Sequence, residues 1–277
     1  MKNKKEENIV LPFHNIDGFI MINGAVGSVS GKFMLDTATP FDYLLNSNLL
    51  SLQNDSFFAA GTASSGQPIT IYQNNKRLNI NVFYGALLVQ KENLKHANLD
   101  FIQSGISSDF LGMIGHEVLS DKLFEINYQD QQIIFYPINK IFTCEEDWIV
   151  IDLHGEDLSY PSAYFNIDGH KITAFFDTGN QGGLTLTERL EEVLIEAGNL
   201  NIKPLNSNHG EPLNSGAYQS ASLHGLKYAN NTLISISGLN YKRAKCNSIN
   251  IGYEVLKNYR TVWDFSNRKI SFKKKMA

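Results

Sequence analysis

Cysteine is nearly absent: Cys144 and Cys246 are the only two in 277 residues. That is too few for a disulfide framework, and neither lies in a CxxC or Cys/His spacing suited to zinc. They read as reduced, half-buried thiols. The seven histidines are scattered, with no HExxH and no paired spacing that would set two imidazoles on one helix face. No metal and no cofactor are expected. Charge is sparse as well: charged residues are 19% and the formal net charge is −4. The chain therefore lacks the field that draws a polyanion or an acidic membrane, and neither nucleic acid nor a membrane is an expected partner. The basic cluster Lys273 to Lys275 reads as a solvated tail, without the aromatic-and-basic stripe of a nucleic-acid site. No apolar run approaches membrane-spanning length. The opening MKNKKEENIVLPF is charged but has no apolar region behind it, so as written it is not a secretory signal. A cytoplasmic location is expected of the chain as written, and a periplasmic or secreted one if a signal has been removed.

What is present is apolar content, 43% of the residues, enough for two compact domains each with its own core. The chain also repeats itself. GHEVLSDKLFEINYQDQQIIF, starting at Gly115, aligns without a gap to GYEVLKNYRTVWDFSNRKISF, starting at Gly252, an offset of 137 (252 − 115) with six identical positions. Upstream, FMLDTATPFDYLL around Asp36 matches AFFDTGNQGGLTL around Asp177, an offset of 141 (177 − 36). Two offsets so close describe one duplicated unit with small loop changes. Units of 8–140 and 146–275 are expected, divided in the stretch from Pro137 to Asp147.

Within each unit the texture is that of an all-β fold: short apolar or alternating runs such as 131–136, 148–153, 163–167 and 269–272, bounded by turn residues. Asn23-Gly24 and Asp168-Gly169 are expected as tight hairpin turns ahead of the aspartate-bearing strands. The glycine-rich run from Gly24 to Gly31 lacks the Lys-Ser/Thr of a phosphate loop and precedes a strand, so it reads as an elongated hairpin. Helix is the minority. One is expected over 188–197, with Thr185 and Glu188 as a capping box and Gly198 as its stop, and short ones just after Gly115 and Gly252.

In each copy an apolar strand runs into Asp-Thr-small, a Gly-containing hairpin follows, and apolar-Gly leads a short helix and a closing hairpin. The sequence thereby resembles the retropepsin-like aspartic peptidases over nearly its whole length, and two copies in one chain resemble the pepsin-like arrangement. The resemblance implies a bilobal acid-protease fold: two pseudo-symmetric closed β-barrel lobes with short helices and an active site at their junction. It implies an aspartic endopeptidase acting on a peptide or protein substrate, as a monomer because one chain holds both half-sites. Asp36 and Asp177 would be catalytic, holding a water between two carboxyls that share a proton, the arrangement from which the general rule on paired carboxylates is drawn. Thr37, Ala38, Thr178 and Gly179 would support the catalytic loops, and Gly115 and Gly252 would let a strand pass close behind them. The substrate-covering flap would lie in 61–67, with Ser64, Ser65 and Gly66, or in 214–218, with Gly216 and Tyr218. Asp42, Asp109 and Asp264 read as turn or surface carboxylates. Ala38 and Thr39-Pro40 depart from the family pattern, Gly being usual at the first place and Ala or Ser after it. They motivate an alternative, a catalytically impaired peptide-binding module of the same fold. A β-rich carbohydrate- or lipid-binding protein would instead hold the two aspartates far apart.

Overall fold

The computed structural model describes residues 8–275 except 64–65, 83–86, 138–139, 144–146, 156–157, 205–218, 230 and 233–235. Three sheets make up the fold. The first, from the N-terminal copy, runs Ser56–Thr62, Pro68–Asn74, Leu94–Ala97, Tyr43–Asn46, Phe110–Ile114, Val29–Leu35, Phe19–Val26, Leu78–Val82, Leu87–Lys91, with His14–Ile16 added alongside Phe19–Val26. The second runs Leu200–Pro204, Gln219–Leu223, Ile236–Arg243, Gly183–Leu186, Ser248–Ile251, His170–Phe176, Ser162–Ile167, Lys227–Tyr228, Asn231–Thr232. Place by place the two orders correspond, and so do the parallel and antiparallel neighbours: Phe110–Ile114 lies parallel to Val29–Leu35 as Ser248–Ile251 does to His170–Phe176. The duplication is therefore one of topology as well as of motif.

The third sheet joins the copies. Its order is Ile9–Pro12, Gln132–Phe135, Leu123–Asn127, Tyr259–Asp264, Lys269–Lys274, Trp148–Asp152, three strands from each copy. At its centre Glu125 pairs with Val262, the residue 137 positions on. A position opposite its own repeat mate marks the local two-fold axis. Its inner face carries Phe124 stacked on Trp263, ring centroids 6.0 Å apart. Two further contacts cross between the copies: Tyr128 against Tyr253 at 5.5 Å, and Phe265 against His116 at 4.6 Å. These four residues are repeat mates in pairs, so each copy's turn packs on the other copy's short helix.

Several expectations need correction. The lobes are not closed barrels: among the described residues both large sheets are open. In the first, the end strand Ser56–Thr62 is exposed along almost its whole length. The other end strand, Leu87–Lys91, passes through Glu92 and Asn93 (φ 60°) into Leu94–Ala97. That strand is already paired on both sides in mid-sheet, so the two ends never meet. Asn23-Gly24 is not a turn. It lies inside Phe19–Val26, and the reversal falls at Gly27-Ser28 between paired Val26 and Val29. Gly24 serves contact instead, since a Cβ there would sit 2.7 Å from the Asn81 carbonyl oxygen. Asp168-Gly169 does form its turn, at φ 49° and 82°. The helix Glu188–Glu196 forms and Gly198 ends it at φ 73°, but Thr187 is its N-cap, and Thr185 is held across strands by the Ser248 hydroxyl at 2.6 Å. A residue inside a strand cannot turn its side chain along the following helix. Cys246 is exposed, in the loop 244–247, and Cys144 lies outside the described residues.

Candidate active site

Each aspartate follows the last residue of an apolar strand that is buried on the core side by Phe33 and Leu35, or by Ala174 and Phe176. Burial and hydrogen bonding hold the strand ends together. Asp36 N donates to Ile114 O at 2.9 Å and Asp177 N to Ile251 O at 3.1 Å. Behind the first loop, Gly115 N donates to Asp42 O and His116 N to Thr39 O, at 2.8 and 2.7 Å. Behind the second, Tyr253 N and Glu254 N donate to Asn180 O and Gln181 O, at 2.9 and 2.8 Å. This approach leaves no room for a side chain: a Cβ on Gly115 would fall 2.1 Å from Phe41 O, and one on Gly252 2.1 Å from Asn180 O.

The two loops are cross-linked by their threonines. Thr37 N donates to Thr178 Oγ1 and Thr178 N to Thr37 Oγ1, both at 3.1 Å. The hydroxyls then reach across the axis, Thr178 Oγ1 to Leu35 O at 2.7 Å and Thr37 Oγ1 to Phe176 O at 3.2 Å. All four bonds are buried. Thr178→Val is expected to leave Thr37 N and Leu35 O unpaired, at about 1–3 kcal/mol each. Thr178→Ser should recover most of that loss in urea denaturation, because it keeps the hydroxyl.

The carboxyls of Asp36 and Asp177 are both buried and meet at Gly179. Gly179 lies against the pair: its N–H donates to Asp177 Oδ1 at 2.9 Å, and a Cβ on it would fall 2.5 Å from the Asp36 carboxyl carbon. The donors are unequal. Asp36 accepts from Ala38 N at 2.9 Å, from Thr39 N at 3.0 Å and from Thr39 Oγ1 at 2.7 Å. Asp177 has the Gly179 bond, while its loop's counterpart of Thr39, Asn180, turns its amide oxygen to Gly182 N at 2.8 Å. Burial raises both aspartates above the ordinary carboxylate value. For Asp36 the three donors oppose the rise. Asp177 is pushed well above it, by burial first and then by the Asp36 charge, so the shared proton belongs on Asp177.

Thr39, read from the sequence as a departure from the family pattern, is thus the residue that makes the pair unequal. A hydroxyl three places after an aspartate at a strand end was the available signal. A singly protonated pair forms as pH rises through the Asp36 titration, above the 3.8 of an unperturbed aspartate, and is lost as pH rises through that of Asp177. Thr39→Val removes a donor to the charged form worth about 1.5–3 kcal/mol, which raises Asp36 further. The lower titration step of the pair, followed by carboxyl NMR, is expected to move to higher pH, with the upper step less affected.

Of the flap candidates, Gly66 lies in the tip between Ser56–Thr62 and Pro68–Asn74, where its N–H donates to Ala63 O at 2.8 Å. Ser64, Ser65, Gly216 and Tyr218 lie outside the described residues. The first hairpin reaches the Asp36 loop through Phe58, edge-on to Phe41 at 5.6 Å. Asp42 also belongs to this neighbourhood, paired with Lys91 at 2.5 Å. Asp109 pairs with Lys32 at 2.6 Å, and Asp264 closes its turn by accepting from Asn267 N at 3.0 Å.

No family model matches this sequence and no curated protein matches it. Among solved structures, the chain is similar to the basic 7S globulin of soybean, with 14% identity, a TM-score of 0.57, and 96% of this chain and 95% of that one covered. At that identity the likeness carries the fold, a two-lobed pepsin-like β arrangement over nearly the whole length of both chains, to which the open sheets here conform loosely.

Proposed function

We propose that this chain is an aspartic endopeptidase. The observation that carries the reading is the buried pair Asp36 and Asp177, brought together at Gly179 by loops related through the local two-fold axis yet made unequal by Thr39. A water held between the carboxyls would lose its proton to ionised Asp36 as its oxygen attacks the peptide carbonyl carbon, while Asp177 gives its proton to the carbonyl oxygen. In the second step Asp36 passes its proton to the amide nitrogen, the C–N bond breaks, and Asp177 recovers a proton from the tetrahedral hydroxyl. Such a site needs neither metal nor covalent intermediate, and low local dielectric strengthens it. The open sheets and nearby strand edges suit an extended peptide bound by main-chain hydrogen bonds.

A second reading, peptide binding without hydrolysis, rests on Ala38 and on likeness to a globulin. Against it, Ala38 keeps a negative φ, and its N–H reaches Asp36 at 2.9 Å, the length of the Gly179 bond to Asp177. The methyl therefore leaves the donor in place. The test is digestion of an unfolded protein by the purified chain across pH, beside Asp36→Asn and Asp177→Asn. New fragments from the wild type alone support hydrolysis, and identical patterns from all three remove it.

A further inference from the structure

The two lobes share a topology but not the chemistry of the sheet layer beside the carboxyls. In the N-terminal lobe the paired residues Met21, Met34, Met113 and Leu44 form one row across four strands. They belong to a second apolar cluster, separate from the main core, that the helix Asp100–Gly105 covers through Ile102. Met113 brings this row to the aspartate pair: its sulfur lies 3.3 Å from Thr39 Oγ1, which bonds Asp36. The same row in the C-terminal lobe, by the same pairings, is Ser162, Phe175, Asn250 and Gly183. Among the described residues no helix covers it, and Ile236–Arg243 and Ser248–Ile251 are joined by the short loop 244–247. One step out, the face continues polar with Thr185 hydrogen-bonded to Ser248. Core-facing neighbours of the two rows are alike, Leu35 and Ile114 against Phe176 and Ile251. The contrast is thus confined to the sheet face turned away from the main core.

Asn250 is the repeat mate of Met113. It is half-buried, and next to it Gly183 leaves space: a Cβ there would make ordinary contacts, 3.7 Å to Asn240 O and 3.9 Å to the Asn250 amide nitrogen. Phe175, paired with Asn250, packs on Tyr160 at 4.7 Å. Tyr160 is 43% exposed, and the charges of Asp177 and Asp36 help to hold its hydroxyl above the ordinary tyrosine value, after burial.

We infer that the site reads the two sides of the scissile bond differently: a Met-lined wall around Met113 takes an apolar side chain, and Asn250 beside Gly183 takes a hydrogen-bonding one. A substrate amide or hydroxyl would satisfy the Asn250 amide, whereas an aliphatic side chain would desolvate it without a partner, the kind of loss on which polar specificity rests. This inference rests on the peptidase reading.

The test exposes one randomised peptide library to wild type, Asn250→Met and Asn250→Ala. Two things are read: residues flanking each new terminus, by mass spectrometry, and peptides retained on the immobilised protein. Wild type is expected to select an apolar residue on one side and Ser, Thr, Asn or Gln on the other. Asn250→Met should convert the polar side to apolar, changing the polar-to-apolar ratio about 10-fold or more. Asn250→Ala should lose the polar preference without gaining the other, and keeps the test valid if the larger side chain impairs folding. Cleavage with no two-sided preference, or with one unchanged in both variants, overturns the inference and leaves the peptidase reading standing. Retention with the expected preference but no cleavage keeps the wall assignment and removes the peptidase reading. Neither retention nor cleavage overturns both.

Discussion

Asp177→Asn and Asp36→Asn are each expected to lower kcat/KM for an unfolded protein substrate by about 10⁴-fold, the upper range for a positioned acid or base. An amide cannot take the water proton or return one to the leaving nitrogen. The two losses should be non-additive, since the carboxyls work as one unit, and the double variant should be scarcely worse than either single one. Stability should move oppositely to activity. Two buried carboxyls that resist ionising together are a strained arrangement, and Asp177 binds its proton more tightly when folded. Stability from that proton is fully present below the unfolded aspartate value and is lost as pH rises through the folded one. In Asp177→Asn that decline should disappear, giving a flatter dependence of Tm on pH than in the wild type.

Gly252→Ala is expected to lower stability by about 4–5 kcal/mol, near the top of the range for single substitutions, and Tm by roughly 10–15 °C. The added methyl would sit 2.1 Å from Asn180 O and 2.7 Å from Asn180 C, both backbone atoms. No rotamer change relieves a contact with backbone, so the loop from Asp177 to Gly182 must shift, and the bonds from Tyr253 N and Glu254 N with it. Activity should fall along with stability. Gly183→Ala, one residue beyond that loop, is the control: its nearest neighbour would be at 3.7 Å, and the cost should stay within about 1 kcal/mol. Equal stability of Gly252→Ala and wild type in urea denaturation would mean that the strand does not pass behind the loop as described.

The duplication was legible because it constrains both copies at once. Gly115 and Gly252 face the same close carbonyl approach, and the residues around Glu125 and Val262 meet at the axis, so drift in one copy is checked by the other. The Asp-Thr motifs were legible for the same reason, each threonine having a partner in the other loop. Sheet closure was not, because it depends on whether end strands pair, and nothing local in Ser56–Thr62 or Leu87–Lys91 reports that. Asn23-Gly24 misled because turn preference is weaker than the pairing of a long hairpin, which moved the reversal to Gly27-Ser28. The Thr185 capping pattern failed to a cross-strand bond with Ser248. Thr39 and Asn250 were visible as letters, and the spacing to Asp36 and the offset of 137 already pointed at them, but their roles needed the folded site: the Thr39 hydroxyl turned onto the Asp36 carboxyl and Asn250 paired in the row that Met113 occupies in the other copy.

Binding of a peptide mimic that carries a tetrahedral hydroxyl-bearing carbon in place of the scissile carbonyl tests the shared-proton pair most directly. A pair built as described here should bind the mimic at least about 10²-fold more tightly than the matching substrate peptide, and Asp36→Asn and Asp177→Asn should abolish that difference. Equal affinity of the wild type for mimic and peptide would contradict it.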